Sequence, residues 1–483
     1  MSNVFDGLKP ALVWEHFYNI NQIPRCSKNE EGARAYVKGV ADRLNLEYKE
    51  DAVGNIVVKK AASAGMENSP TVILQGHVDM VCEKNKGTVH DFTKDPIKML
   101  IDDGWVRADG TTLGADNAIG VCMGLALLED DSLAHPPLEV LCTIDEETGM
   151  TGAMGLEPGF LDGKIMLNLD TEEEGALYIG CAGGKHTIMT RKIDWQNAPS
   201  GQKTYSVKIK GLRGGHSGLN IVDQFGNAIK LLTRVIYKLG QTQKFSVASI
   251  NGGTAHNAIP REAEVTLVLD SAAHAELEKL AAHFSPVFSD EFSAVEKDIS
   301  FAIEEVGAAD KVFSDDLSKT IISFLYSIPH GVEAMSQAVE GLVETSTNMA
   351  VVETRENELY LLTSQRSSVA SSILDIADKV KASAELAGFD VEQGGGYPAW
   401  QPNPDSPLLK ACKEVYSKKY GEEAEIKAVH AGLECGIIGE QFPGMDMISL
   451  GPDILGAHSP DERVKIDSVN NVWEYLLDVL KAL

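Results

Sequence analysis

The chain predicts an α/β protein: a mainly parallel-sheet domain interrupted by an inserted α+β domain. Three observations carry that expectation. Short apolar runs alternate with helical stretches over residues 1–185; a clean two-residue alternation replaces that texture beyond Lys185; and acidic residues and histidines stand where the apolar runs of the first part stop.

In chain order, residues 10–24 and 30–46 read as amphipathic helices, the first ending near Pro24. The runs 54–59, 71–75, 138–144 and 164–169 are strand-like, and 117–128 is an apolar helix with Asp116 at its N-cap position. Strands alternating with helices fold as a parallel sheet whose ligands bind beyond the carboxyl ends of the strands. Residues 204–210 alternate with Tyr205, Val207 and Ile209 on one face, as a half-exposed antiparallel strand does. Helices at 223–239, 272–284, 315–326 and 369–387, with strands at 245–250, 262–270, 299–305 and 348–363, complete the α+β module. The glycine run 394–396, followed by Tyr397 and Pro398, marks a second boundary; 445–450 then reads as a buried strand and 469–483 as a closing helix. The expected division is 1–185 with 390–483 as one discontinuous domain, and 186–389 as the insertion.

Composition sets the class. With 483 residues the chain exceeds one ordinary core, and 43% apolar and 6% aromatic content is that of a soluble globular protein. A net charge of −28 argues against nucleic acid and anionic membrane surfaces as partners. The seven cysteines are scattered without a C-x-x-C pair, which predicts neither a disulfide framework nor a thiolate metal site and fits a reducing cytoplasm. Asp6, Lys9 and Glu15 are wrong for a secretory signal, and the longest apolar run, 118–128, is short of the roughly 20 residues of a bilayer span.

The chemistry-bearing residues follow. In VILQGHVDM, His77 and Asp79 are two apart at a strand end and point the same way, which suits a histidine ligand oriented by a carboxylate; a plain polar strand end is the alternative. Asp116 of TTLGADNAIG either caps its helix or offers one oxygen to each of two metals. In VLCTIDEETGM, Glu146 and Glu147 belong to three consecutive acids, costly to bury unless cations neutralise them; a solvated loop is the rival reading. Asp170 of NLD repeats the strand-then-acid pattern, and His458 of GAHSPDE sits in a turn from which an imidazole can reach into a site. Together these supply two imidazoles, a bridging carboxylate, two terminal carboxylates and one spare for proton transfer, the inventory of a two-metal hydrolase. Rival motifs fail: GCAGGKH lacks the first glycine and the final hydroxyl of a P-loop, Ser217 lacks a nucleophile elbow, and no H-E-x-x-H occurs.

The same motifs, HVD, ADN, EET and NLD, are where the sequence resembles the di-zinc peptidase family that includes carboxypeptidase G, aminoacylases and desuccinylases. Segments such as TVHDFTKDPI, RADGTTLGADNAIG, GLRGGHSG, NAIPREA, AWQPNPDSP and VHAGLECG extend the likeness over nearly the whole chain, towards that family's dipeptidases. The resemblance implies a phosphorylase/hydrolase-like di-zinc catalytic domain interrupted by a lid domain. It further implies a cytoplasmic, homodimeric metallo-dipeptidase that prefers Xaa-His dipeptides such as β-alanyl-histidine. Carried over residue by residue, His77 and Asp170 would bind one metal, Glu147 and His458 the other, and Asp116 would bridge them. Asp79 would orient His77, and Glu146 would act as general base towards a hydroxide held between the metals. His216, Asn257, Arg366 and the backbone at Gly432 would hold substrate, His216 in its own chain's site or a partner's. Two divalent ions are implied, zinc first, with cobalt or manganese also compatible with nitrogen and carboxylate donors. An N-acyl amino acid deacylase on the same metal core, and a non-catalytic metal-binding protein, stay open as alternatives.

Overall fold

The computed structural model describes residues 4–483. It divides into two units. The first runs to Gly180 and resumes over Pro402–Ala428 and Leu433–Leu483; the second comprises Cys181–Gln401 and Val429–Gly432.

The first unit is built on an eight-stranded sheet in the order Glu47–Glu50, Ile56–Lys60, Leu138–Thr143, Val72–His77, Ile165–Asn168, Asp446–Ser449, Ala176–Cys181, Glu425–Val429. The strands from Leu138–Thr143 to Asp446–Ser449 pair in parallel, with antiparallel pairs outside them. Val72–His77 and Leu138–Thr143 are buried along their whole length, which is why they read as continuous apolar runs rather than alternating ones. The helix Ala115–Glu129 is apolar all round because it is buried from Ala115 to Leu128, packed against Val72–His77 and against the helix Ala11–Ile20.

A small four-stranded sheet, in the order Ile454–Leu455, Arg463–Lys465, Trp105–Ala108, Met99–Asp102, explains how the C-terminal tail returns. Arg463, Val464 and Lys465 pair with Arg107, Val106 and Trp105, so the hairpin carrying His458 is stitched to the segment that leads into Asp116. The fold differs from expectation at one covalent feature. Cys26 and Cys82 form a disulfide across 56 residues, a pairing with no spacing signature in the sequence, while the other five cysteines are buried thiols.

In the second unit an antiparallel sheet runs in the order Ser300–Val306, Lys203–Lys210, Ala263–Leu269, Ser246–Gly252, Val343–Thr354, Glu358–Ser367, Gly183–Lys192, Asp390–Tyr397, with Gly331–Met335 paired to Val343–Thr354. Leu232, Val235, Ile236 and Leu239 of the helix Ala228–Leu239 share its core with Val207, Val265, Phe288 and Ile321. The stretch 348–363 is two strands of a hairpin, and the glycine run 394–396 lies inside a strand. Its pairing with Gly183–Lys192 slips register between Gly394 and Gly396, so the glycines mark a bulge and not a linker.

Candidate metal centre

Parallel register sets the strand ends of the first unit side by side. His77 lies opposite Thr143, and Gln75 opposite Asn168, so the segments after these residues leave the sheet at one edge. His77 closes its strand, Glu146 and Glu147 form the short helix Glu146–Gly149 after the next, and Asp170 follows the third. Asp116 enters through a helix start whose backbone is non-helical at Asp116 and Asn117 and whose connecting peptide bond is cis. Asp116 does not cap that helix; its carboxylate faces two histidines instead.

Oδ1 of Asp116 lies 3.1 Å from Nε2 of His77, and Oδ2 lies 3.1 Å from Nε2 of His458. Asp170 Oδ1 stands 3.2 Å from the same nitrogen of His77, and Glu147 Oε2 stands 3.0 Å from that of His458. Two triads, His77–Asp116–Asp170 and His458–Asp116–Glu147, thus share one carboxylate, each with its donor atoms within 4.8 Å of one another. Ligands about 2.0 Å from a tetrahedral zinc stand about 3.3 Å apart, so the spacing fits two such ions. His458 takes its place in a left-handed backbone conformation, φ +62°, uncommon for a residue with a β-carbon.

The electrostatics fit the same conclusion. Burial raises Asp170 to about 6 and pushes up Glu147, with neighbouring carboxylates adding to the shift. Asp116 is also buried, but bonds from His458 and His77 pull it below the ordinary carboxylate range. Glu147 Oε1 is buried without a hydrogen-bond partner among the described residues, and Asp170 Oδ1 meets only the His77 ring nitrogen that Asp116 also faces. Unpartnered buried carboxylate oxygens are expensive unless cations meet them. Glu146 is raised well above its usual value by desolvation, with Asp170, Glu147 and Glu434 contributing, and its carboxylate takes no hydrogen bond from the described residues.

Sequence reading overlooked four residues of this unit. Ser27 donates to Asp79 at 2.7 Å. Glu434 accepts from Gln75 and Thr143 at 2.6 Å each and is raised to about 7 by burial. Arg25 and Glu462 are 1% and 2% exposed. Ser27 is a half-buried hydroxyl; the other three are charged, and only contacts far along the chain reveal them as buried.

The remaining predicted residues lie in the second unit. His216 accepts backbone N–H groups of Gly218 and Leu219 on Nδ1, at 3.3 and 3.1 Å, and its Nε2 stands 3.5 Å from Arg366 Nη2. Arg366 is 6% exposed, and its Nη1 donates to the Tyr397 hydroxyl at 2.7 Å. Arg366 Nε has no hydrogen-bond partner among the described residues. Gly432 lies against the Tyr397 ring, where a β-carbon would stand 2.6 Å from it, so only glycine admits the ring beside Arg366. Asn257 accepts from Ser217 N at 2.8 Å through its carbonyl and, with His216, lines an open cleft of about 530 Å³. His256 is exposed and packs edge-on against His186.

Comparison with known proteins points one way. The model of peptidase family M20/M25/M40 matches residues 73–482. The cytosol non-specific dipeptidase of Escherichia coli (strain K12) is 40% identical over 476 residues, which cover 99% of this chain and 98% of that one. The crystal structure of aminoacylhistidine dipeptidase from Vibrio alginolyticus matches at 43% identity with a TM-score of 0.92, over 100% of this chain and 98% of its own. A tripeptidase of Staphylococcus aureus shares the fold at 16% identity and a TM-score of 0.56, over 98% of each chain. No helix of the described residues is long and apolar enough to cross a membrane.

Proposed function

Because the chain belongs to peptidase family M20/M25/M40, we propose that it is a cytoplasmic metallo-dipeptidase, with a preference for Xaa-His dipeptides such as β-alanyl-histidine. One observation carries the reading: a single carboxylate, Asp116, faces His77 with one oxygen and His458 with the other, and each histidine has its own terminal carboxylate.

His77 and Asp170 would hold one divalent ion and Glu147 and His458 the second, with Asp116 shared between them; zinc is the first choice for this donor set. Two such ions lower the pKa of a water and polarise a carbonyl. Glu146 is no ligand. It takes the proton from the attacking water and returns it to the leaving amine nitrogen. Asp79 stands 3.3 Å from Nδ1 of His77 and fixes the ring. His216, in its own chain's site or a partner's, would meet the carbonyl oxygen, where negative charge builds during attack. Arg366, steadied by Tyr397 and with Nε to spare, takes the C-terminal carboxylate, a charge-assisted contact that an amide cannot replace.

The preference for histidine is supported by the resemblance to the Vibrio alginolyticus aminoacylhistidine dipeptidase, while the Escherichia coli relative is named non-specific. A chelator-sensitive assay tests the proposal. β-Alanyl-histidine should be hydrolysed, the activity should vanish with chelator and return with Zn2+, and N-acetyl-histidine should be a poor substrate. Hydrolysis of the acetylated amino acid without hydrolysis of dipeptides would make the protein a deacylase.

A further inference from the structure

The segment 113–116, which delivers Asp116, is gripped from two sides by buried opposite charges that do not pair with each other. Glu462 accepts four consecutive backbone N–H groups: Leu113 and Gly114 on Oε2 at 2.8 and 2.9 Å, Ala115 and Asp116 on Oε1 at 2.7 and 3.3 Å. From the other side, Arg25 donates through Nη2 to the Gly114 carbonyl at 2.5 Å, and through Nη1 to the carbonyls of Val78 and Asp79 at 3.1 and 3.0 Å. Gly114 has φ +70°, and a β-carbon there would stand 2.3 Å from Arg25 Nη2. The clamp therefore requires glycine at this position.

Each half of the clamp reaches a different histidine. Arg25 ties the Asp116 segment to the strand end that carries His77 and Asp79; Glu462 ties it to the hairpin that carries His458. We propose that Arg25 and Glu462 are positioning residues of the metal centre, holding the shared carboxylate of Asp116 between His77 and His458 before any ion arrives. The proposal rests on the metal-centre reading above.

The physical need is specific. Without cations, only the bonds to His77 and His458 offset the crowding of Asp116 by the carboxylates of Glu147 and Asp170, and a loop free to swing would carry Asp116 away from one histidine or the other. Charge-assisted bonds to consecutive peptide groups resist that, being stronger than neutral ones and spread over the whole segment. Glutamine at 462 would turn an amide N–H2 towards peptide N–H groups and lose half of the acceptors. Lysine at 25 would keep the charge but lose the fork that joins Gly114 to Val78 and Asp79.

The test is calorimetric titration of the metal-free full-length protein with Zn2+, alongside the absorption spectrum of the Co2+-loaded protein and thermal unfolding. E462Q and R25K should each weaken zinc binding by about ten- to hundredfold, the scale of losing an outer-sphere support. They should also alter the Co2+ spectrum, and the double variant should lose less than the product of the two, because both release one loop. D446N is the control. Asp446 accepts from Ser406 Oγ at 2.6 Å and Leu408 N at 3.0 Å at the start of the helix Pro407–Tyr420, so its loss should lower Tm while leaving zinc affinity unchanged. E462Q and R25K with wild-type zinc affinity and spectrum, but a Tm lowered like that of D446N, would overturn the proposal and leave both residues a structural role only. Should E462Q not fold, R25K decides alone. A wild-type protein that takes up no pair of ions would overturn the metal-centre reading itself, a separate outcome.

Discussion

Asp79 Oδ1 stands 3.3 Å from Nδ1 of His77, and the same carboxylate accepts the backbone N–H groups of Glu146 and Glu147 at 3.1 and 3.2 Å. One side chain thus organises a histidine and the turn that presents both the proposed base and a proposed ligand. Burial acts against its charge, yet bonds from His77, Ser27 and Glu146 N hold it down at about 2, so it stays ionised through any working pH.

Asp79→Asn is therefore expected to weaken zinc binding by about ten- to hundredfold, because an amide at this position cannot accept from the ring and both peptide N–H groups at once. Zinc titration of the metal-free variant measures it. Unchanged affinity would limit Asp79 to holding the turn.

Glu146→Ala should keep both metals and lose more than about a hundredfold in kcat, the scale of removing a general base. Metal analysis beside steady-state kinetics separates the possibilities: loss of an ion with the substitution would make Glu146 a ligand.

Zinc affinity should rise with pH. In the metal-free protein, bonds from Asp116 and Glu147 raise His458 to about 11, and for His77 the neighbouring carboxylates outweigh burial and raise it as well. An ion must displace those protons, so apparent affinity gains up to about tenfold per pH unit for each histidine deprotonated. The same raised values run the other way for the metal-free fold. The stabilisation from His458 is complete below its unfolded value of about 6.5 and fades as pH climbs towards 11. Titrations in buffers of different ionisation enthalpy count the protons released; pH-independent affinity would contradict the arrangement.

The sequence showed those parts that involve an abrupt change of character. His77 ends, and Glu146, Glu147 and Asp170 follow, strands that are mostly apolar because both their faces are covered, so a polar or charged group there stands out. Arg25 and Glu462 gave no such signal. Glu462 reads as one of several acids in a turn, and its burial is decided by peptide groups 346 to 349 residues earlier in the chain. Tyr397 was hidden by the glycine run before it, read as a boundary, which the structure resolves as a bulged strand. The Cys26–Cys82 pair was invisible because pairing depends on a folded distance, 5.7 Å between α-carbons, and not on spacing.

Arg366→Ala should separate binding from chemistry. Its guanidinium is 6% exposed, steadied by the Tyr397 hydroxyl at 2.7 Å, and keeps Nε without a partner among the described residues. A buried donor in that condition is costly unless an anion meets it, and a free C-terminal carboxylate is the anion that a dipeptide brings. The variant should raise KM for β-alanyl-histidine by about ten- to hundredfold, the range of a lost charge-assisted bond of about 1.5–3 kcal/mol. The C-terminally amidated analogue, which cannot form the pair, should be hydrolysed almost equally by both proteins. Equal damage to the two substrates would place Arg366 in the support of its own unit, through Tyr397 and His216, rather than in contact with substrate.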